Sequence, residues 1–175
     1  MKTVMQTASG IMFDLANPSA ADVRAEDVAH HLAQINRFTG ATSRPYSVAA
    51  HCLNACAAAW SHGYGVDVML QALCHDAEEA YTGDVPPMHK ALLGDAWDHF
   101  ADPIKTAVGE ALGVYLHNLH PIVHEIDQML LYAEARIYMP DPSKFVGIPG
   151  LRSHVREYSD PAANWLSSYR FLANR

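Results

Sequence analysis

Residues 73–84 read LCHDAEEAYTGD, and they hold the densest set of imidazole and carboxylate groups in the chain. The adjacent pair His75 and Asp76 is followed about one helical turn later by Glu79, and Asp84 comes directly after Gly83. Imidazole nitrogen and hard carboxylate oxygen together suit a divalent metal such as zinc, cobalt, manganese, nickel or magnesium. The stretch therefore predicts a metal site around the end of a helix.

The sequence on both sides of this stretch has the spacing of amphipathic helices. Apolar residues recur at intervals of three and four, with polar residues between them. The predicted helices span residues 22–35, 47–62, 65–80, 88–97, 103–112, 121–138 and 161–172. Ser47 is a suitable N-cap for the second helix, and Gly83 is a stop signal for the third. Only residues 10–15 alternate as a strand does, so we predict an all-α bundle of about six or seven helices with at most a short N-terminal hairpin.

Length and composition indicate one compact domain over residues 1–175. Half of the 175 residues are hydrophobic, which is enough for a full core. The net charge is −7 and the 12 lysines and arginines are scattered, so no polynucleotide partner is expected. No apolar run approaches the roughly 20 residues that span a bilayer, and the N-terminus lacks the apolar core of a signal peptide. These features predict a cytoplasmic protein without a membrane partner, and Cys52, Cys56 and Cys74 are expected to be reduced core thiols.

A metal at His75 and Asp76 needs further ligands, because adjacent side chains on a helix diverge by about 100°. His51, on the preceding predicted helix, is the natural second imidazole. Asp127 lies among apolar neighbours on a later predicted helix, where an unpaired carboxylate would be costly. Each of these residues taken alone is more often structural than a ligand. Together with the stretch after Leu73, they predict a shell of two histidines and two aspartates.

An alternative ligand pair is formed by His120 and His124, which are four residues apart. It is the weaker hypothesis, because Pro121 is expected to occupy the first helical position. His120 would then lie outside the helix and would not share a face with His124.

Several short motifs follow one another in a characteristic order over about residues 30–135. They are NRF at 36–38, SVAAH at 47–51, HDAEE at 75–79, TGDVP at 82–86, Lys90, and ID at 126–127. In this order and spacing the chain resembles the HD-domain phosphohydrolases, above all their bacterial 5′-deoxynucleotidase branch and the related short phage-type deoxynucleotide triphosphohydrolases. There are two departures. Phe38 stands where the cellular deoxynucleotidase carries tryptophan, and the segment between His51 and His75 is shorter.

The resemblance implies an HD-type helical bundle and a role for each residue of the motifs. The implied metal ligands are His51, His75, Asp76 and Asp127. Glu79 and Asp84 would lie beside the metal as catalytic groups, and Arg37 and Lys90 would face phosphate.

Two more residues are candidates for contact with substrate. Arg44, in the loop before His51, is a candidate for binding additional phosphates, although loop arginines are more often simply solvated. Phe38 either stacks on the base or the deoxyribose, or fills the end of a helix as a hydrophobic plug.

The expected reaction is metal-dependent hydrolysis of a deoxynucleotide at its α-phosphorus. The favoured substrate is a deoxynucleoside 5′-monophosphate, which would yield nucleoside and phosphate. The alternative is a triphosphohydrolase that converts dATP to deoxyadenosine and triphosphate, and a non-catalytic nucleotide-binding module is less favoured. The resemblance also implies a homo-oligomer, most simply a dimer. Aromatic residues near the C-terminus fit either an interface or a helix packed on its own core.

Overall fold

The computed structural model describes residues 3–145 and 155–175, and most of these are helical. An antiparallel hairpin comes first, formed by β1 (Val4–Gln6) and β2 (Met12–Asp14). The helices are α1 (Ala25–Gln34), α2 (Val48–Ser61), α3 (Val66–Cys74), α4 (Glu79–Thr82), α5 (Pro87–Leu93), α6 (Asp95–Leu112), α7 (Pro121–Tyr138) and α8 (Pro161–Ala173). Within the described residues, α4 is a single turn and the other seven are longer. The prediction of an all-α bundle with a short hairpin is confirmed.

Helix α2 lies at the centre of the bundle. It packs against α1, α3, α7 and α8, and nearly all of its residues are buried. Its many alanines let these neighbours approach closely, and a helix that is apolar all round belongs in a core. The predicted N-cap is confirmed, since Ser47 Oγ accepts a hydrogen bond from the Ala50 N–H at 3.2 Å. A polar residue such as His51, one turn into α2, is thereby placed in the interior.

The third predicted helix ends earlier than the pattern of residues 65–80 indicated. Helix α3 stops at Cys74, and a tight turn separates it from α4. The His75 ring Nδ1 lies 2.8 Å from the carbonyl oxygen of Ala72, which in a continuing α-helix would accept from the Asp76 N–H. The turn continues with i→i−3 hydrogen bonds: the Ala77 N–H donates to the Cys74 carbonyl oxygen at 2.9 Å, and the Glu79 N–H donates to the Asp76 carbonyl oxygen at 3.0 Å. The side chain of His75 thus replaces a helical hydrogen bond.

The predicted boundaries at residues 97 and 103 are also wrong. Helix α5 ends before Gly94, whose φ of +55° and ψ of −142° suit glycine, and α6 then runs without a break through Pro103. Proline favours the first turn of a helix, but Pro103 lies inside α6. Inside α6 its missing N–H leaves the carbonyl of His99 without its helical donor. His99 is exposed, so water can satisfy that carbonyl.

The C-terminal helix α8 packs back onto the core through Trp165 and Tyr169, while Phe171 is exposed. Trp165 is fully buried, and its indole N–H donates to the carbonyl oxygen of Leu73 at 3.0 Å. Its ring stacks on Tyr169 with 5.5 Å between centroids. Helix α8 is therefore anchored at the end of α3, directly before His75.

Two predictions from composition concern the cysteines and membrane spans. Cys52, Cys56 and Cys74 are buried free thiols, as predicted. Burial raises the pKa of Cys52 to about 11 and that of Cys56 to about 12, so these thiols stay protonated. Among the described residues, no helix has both the length and the apolar character needed to cross a membrane.

Candidate metal centre

Two imidazole rings meet at the centre of the candidate site. His51 comes from α2 and His75 from the turn after α3, and their Nε2 atoms are 3.1 Å apart. The Nδ1 atom of His75 lies 2.8 Å from the Ala72 carbonyl oxygen, and that of His51 lies 2.7 Å from Glu134 Oε1. Carbonyl and carboxylate oxygens only accept, so both Nδ1 atoms carry hydrogen. When the rings are neutral, their two Nε2 lone pairs are therefore directed into the same space, where a cation would be stabilised.

Two carboxylates flank the imidazole pair. Asp76 Oδ2 lies 3.3 Å from His75 Nε2 and 3.6 Å from His51 Nε2. Asp127 Oδ1 lies 3.1 Å from His51 Nε2 and 3.9 Å from His75 Nε2. The structure thus brings together all four residues that the sequence singled out as ligands. The group of His51, His75 and Asp76 can hold a metal ion, since their ligand atoms all lie within 4.8 Å of one another.

The spacing of the donor atoms fits one small divalent ion. Ligands about 2.0–2.1 Å from a metal are separated by roughly 2.9 Å at right angles and roughly 3.3 Å in a tetrahedron. The separation of the two Nε2 atoms falls between these values, as does that between His51 Nε2 and Asp127 Oδ1. Two imidazoles with carboxylates on one side form a donor set that zinc, cobalt, manganese and nickel accept.

The electrostatic environment of these residues also favours a cation between them. Burial lowers the pKa of His75, but the charge of Asp76 and a hydrogen bond that the ring donates to Asp127 outweigh it and raise that pKa well above the ordinary value. Burial raises the pKa of Asp127, but hydrogen bonds from His51 and His75 outweigh it and lower that pKa. The carboxylates thus favour positive charge beside the Nε2 atoms, either as a proton in the metal-free site or as a metal ion that replaces it.

Arg37 borders the ligand cluster. Its side chain is only 10% exposed; Nη1 lies 3.4 Å from Asp76 Oδ2 and Nη2 lies 3.9 Å from Asp127 Oδ1. Its Nε lies 3.1 Å from Glu134 Oε2. Neither Arg37 Nε nor Glu134 Oε2 has a hydrogen-bond partner among the described residues. Their contact is therefore an ion pair with poor hydrogen-bond angles. The residue that was expected to face phosphate is therefore held against the ligand carboxylates.

Glu134 is a part of the site that the sequence interpretation missed. It is completely buried, and its Oε1 accepts hydrogen bonds from the Tyr46 hydroxyl and from His51 Nδ1, both at 2.7 Å. Burial raises the pKa of Glu134, but the charges of His51 and Arg37 outweigh it and keep that pKa below the ordinary value. The sequence contains a signal that could have identified Glu134. Glu134 follows Asp127 by seven residues, about two helical turns, and therefore lies on the same face of α7. No comparable signal pointed to Tyr46.

Comparison with known proteins places the chain in a family. An uncharacterized protein of Rhodobacter capsulatus is 36% identical over 110 residues, which are 61% of this chain and 56% of that protein. The uncharacterized protein YfdR of Escherichia coli is 31% identical over 141 residues, which are 81% of this chain and 75% of YfdR. This chain belongs to the YfdR family. It spans little more than half of the Rhodobacter protein, and no protein-family model matches it.

Glu79 and Asp84 are the two expected catalytic groups of this YfdR-family protein. The charge of the candidate ligand Asp76 raises the pKa of both. Glu79 is buried, and its Oε2 has no hydrogen-bond partner among the described residues. Burial, with the charges of Asp76 and Asp84, raises the pKa of Glu79 well above the ordinary value. Burial also raises the pKa of Asp84; Arg37 opposes this increase and Asp76 adds to it. The YfdR-family chain therefore has two carboxyl groups with raised pKa values beside its candidate metal ligands.

Phe38 and Lys90 are two of the residues that were expected to contact the substrate. In the sequence, Phe38 precedes residues 73–84 and Lys90 follows them. Phe38 has a φ of +57°, unusual for a residue with a side chain, and its ring centroid is 5.7 Å from the Arg37 guanidinium. Lys90 lies on α5 with its ammonium 5.2 Å from the Trp97 ring centroid, and its charge acts on Asp84. The positive φ costs on the order of 1–3 kcal/mol, and such strain is often found at functional sites.

Arg44 of the YfdR-family chain is engaged elsewhere. It forms an ion pair with Glu157, and its guanidinium lies 5.1 Å from the Tyr138 ring centroid. These three residues line a cavity of about 250 Å³, and none of the four predicted metal ligands is among its described lining residues. Arg37 therefore contacts the carboxylates of the cluster, Lys90 acts on Asp84 through its charge, and Arg44 is paired with Glu157.

The alternative pair of His120 and His124 lies outside the cluster. His120 is the N-cap of α7, and its Nδ1 accepts from the Ile122 N–H at 3.2 Å. Pro121 occupies the first helical position, as predicted. His124 is exposed, and no contact among the described residues joins either ring to the four ligands. The site of the YfdR-family chain is thus the one around His51 and His75.

Proposed function

We propose that this YfdR-family protein is a divalent-metal-dependent phosphohydrolase of the HD-domain type that acts on deoxynucleotides. The observation that carries the proposal is the convergence of two imidazole Nε2 atoms at 3.1 Å, flanked by the carboxylates of Asp76 and Asp127. These are the four positions that the resemblance assigned to the metal. They lie on three separate segments of the chain, and the fold brings them to one point.

The chemistry follows from the groups around that point. When bound, a divalent ion would lower the pKa of a water molecule and polarise a phosphoryl oxygen. Arg37, which is buried beside the ligands, and Lys90 would offset charge on the nonbridging oxygens of the α-phosphate. The water oxygen forms a bond to phosphorus as the bond from phosphorus to the 5′-oxygen breaks, and one proton of the water passes to solvent.

The departing 5′-oxygen also needs a proton, and Glu79 is suited to donate it. Glu79 is buried, its Oε2 has no hydrogen-bond partner within residues 3–145 and 155–175, and its pKa is raised by burial and by Asp76 and Asp84. A raised pKa lets a carboxyl group keep its proton to higher pH, which suits a general acid. Asp84, also with a raised pKa, would hold the attacking water by a hydrogen bond.

The distribution of cations favours a monophosphate over a triphosphate. Arg37 lies against Asp76 and Asp127, and the charges of Arg37 and Lys90 both act to lower the pKa of Asp84. Arg44, the candidate for binding additional phosphates, pairs with Glu157 and lies over Tyr138. Since a triphosphate carries more negative charge than a monophosphate, this set of cations matches the monophosphate better.

Product analysis tests the proposal. The purified protein is incubated with dAMP, AMP or dATP and with manganese or cobalt, and nucleoside, phosphate and triphosphate are quantified by chromatography. We expect deoxyadenosine and phosphate from dAMP, and no release by the Asp76→Asn variant. Triphosphate release from dATP would assign the protein to the alternative class of triphosphohydrolases. Nucleotide binding without turnover would indicate a non-catalytic module, and neither binding nor turnover would refute the proposal.

Self-association, which the resemblance implied, also belongs to this proposal. Helix α5 and the first turns of α6 expose large apolar side chains, and such surfaces often form protein contacts. They are Met88, Leu92, Leu93 and Phe100. Light scattering after size-exclusion chromatography would give the mass in solution, and a monomer at all concentrations tested would refute this part of the proposal.

A further inference from the structure

Glu134 is a buried charged residue that the proposed chemistry does not use. It lies on α7 with no exposed surface, and its two carboxylate oxygens contact different partners. Oε1 is 2.7 Å from His51 Nδ1 and 2.7 Å from the Tyr46 hydroxyl. Oε2 is 3.1 Å from Arg37 Nε. One carboxylate therefore touches both a candidate metal ligand and the cation expected to face phosphate.

We propose that Glu134 is a positioning residue that orients His51 for the metal and Arg37 for the phosphate of the substrate. The part that concerns His51 needs only the metal centre. The part that concerns Arg37 rests on the proposed function.

The orientation of His51 follows from hydrogen-bond chemistry. A carboxylate only accepts, so Glu134 holds the hydrogen of the neutral ring on Nδ1 and leaves the lone pair on Nε2. His51 Nε2 lies 3.1 Å from Asp127 Oδ1 and 3.1 Å from His75 Nε2, so its lone pair is available on the side where a metal would bind. Partners of this kind fix the tautomer and the ring plane of a metal ligand, and their loss typically weakens metal binding by about 10- to 100-fold.

The orientation of Arg37 follows from charge balance. A guanidinium group with a side chain only 10% exposed needs a nearby negative charge. Three carboxylates surround it, but Asp76 and Asp127 are the two that face the metal position. Glu134 is the closest of the three and lies on the opposite side of the imidazole of His51, so it can remain with Arg37 when the others bind a metal.

Tyr46 offers a matched comparison for Glu134. Its hydroxyl donates to the same Oε1 atom at 2.7 Å and accepts from Asn54 Nδ2 at 3.0 Å. Tyr46→Phe removes this buried hydrogen bond but keeps the carboxylate and its contacts with His51 and Arg37. Glu134→Gln keeps the shape of the side chain and removes its charge. A role in general packing would make the two variants similar, whereas a positioning role would separate them.

The experiment measures cobalt binding and dAMP hydrolysis by the full-length wild type, Glu134→Gln and Tyr46→Phe. Cobalt affinity and coordination are read from the visible absorption of the bound ion during titration, and circular dichroism checks the fold. For Glu134→Gln we expect an affinity lower by about 10- to 100-fold and an altered cobalt spectrum. At saturating cobalt we also expect a raised KM for dAMP. Tyr46→Phe should keep the wild-type spectrum and lose less than about threefold in affinity.

Equal cobalt affinity and spectra for the wild type and Glu134→Gln, or equal losses in both variants, would overturn the inference. If Glu134→Gln does not fold, Glu134→Asp is measured instead; it keeps the charge but withdraws it from His51, and we expect the same direction of change. A wild type that binds cobalt without hydrolysing dAMP would refute the proposed function and the role of Arg37, while the affinities still decide the role at His51. A wild type that binds no cobalt would overturn both.

Discussion

Replacement of Asp76 by asparagine should remove most of the stabilisation of this protein by divalent metal. Asparagine keeps the shape of the side chain, so no cavity forms, but it removes the charge that lies 3.3 Å from His75 Nε2 and 3.4 Å from Arg37 Nη1. The Asp76 side chain is 20% exposed. In metal-free protein the loss of these partly solvated contacts should therefore cost only about 0–1 kcal/mol.

The magnitude of the metal effect follows from mass action. A metal concentration of 100 times Kd stabilises the wild type by about 2.7 kcal/mol. In a domain of this length 1 kcal/mol corresponds to about 2–4 °C, so the wild-type Tm should rise by about 5–11 °C. If the loss of one charged ligand weakens binding about 100-fold, the same metal concentration equals Kd for the variant. The gain then falls to about 0.4 kcal/mol, or about 1–2 °C.

The assay is thermal unfolding of both proteins in EDTA and in manganese, followed by circular dichroism. Asp67→Asn is the matched control, because Asp67 is an exposed aspartate in the first turn of α3, the helix that leads to His75. The control should show the full wild-type increase in Tm. An equally large increase in Asp76→Asn would remove Asp76 from the metal centre.

Other substitutions test the remaining parts of the site and the fold. Glu79→Gln should keep the metal-dependent rise in Tm but slow dAMP hydrolysis by about 10²- to 10⁴-fold, and an unchanged rate would exclude Glu79 from the proton transfer. Because the pKa of Glu79 is raised in the fold, its contribution to stability is lost as the pH rises from 4.5 through the folded pKa. Metal-free Glu79→Gln should thus be more stable than wild type at pH 7, with the difference vanishing below pH 4.5; a difference independent of pH would contradict this sign. Trp165→Ala should lower the free energy of unfolding by about 3–5 kcal/mol in urea titrations, and a loss below about 1 kcal/mol would show that α8 is not anchored by this residue.

Local signals in the sequence predicted part of the fold well. Ser47 begins α2 and Pro121 begins α7 because capping depends on residues within one turn of each other. The break after Cys74 was missed because residues 75–82 have helical composition. The ring of His75 takes the carbonyl of Ala72, and helical spacing gives no indication of that choice of rotamer.

The sequence predicted which four residues would lie together at the candidate site, but not the residues that support them. His51, His75, Asp76 and Asp127 carry chemistry that the motifs mark, and the fold brings them together. Burial of Arg37 was not foreseen, because arginine is almost never fully buried unless it is paired. Its pairing with Glu134 joins residues almost 100 positions apart, and single-sequence patterns do not report such contacts.

X-ray absorption by cobalt bound to the purified protein tests the central claim most directly, because the spectrum counts the imidazole, oxygen and sulfur ligands of the ion. Two imidazoles with oxygen ligands and no sulfur are predicted for the wild type. The His75→Gln variant should retain at most one imidazole. A wild-type spectrum with sulfur in the shell, or with fewer than two imidazoles, would contradict a metal centre built from His51, His75, Asp76 and Asp127.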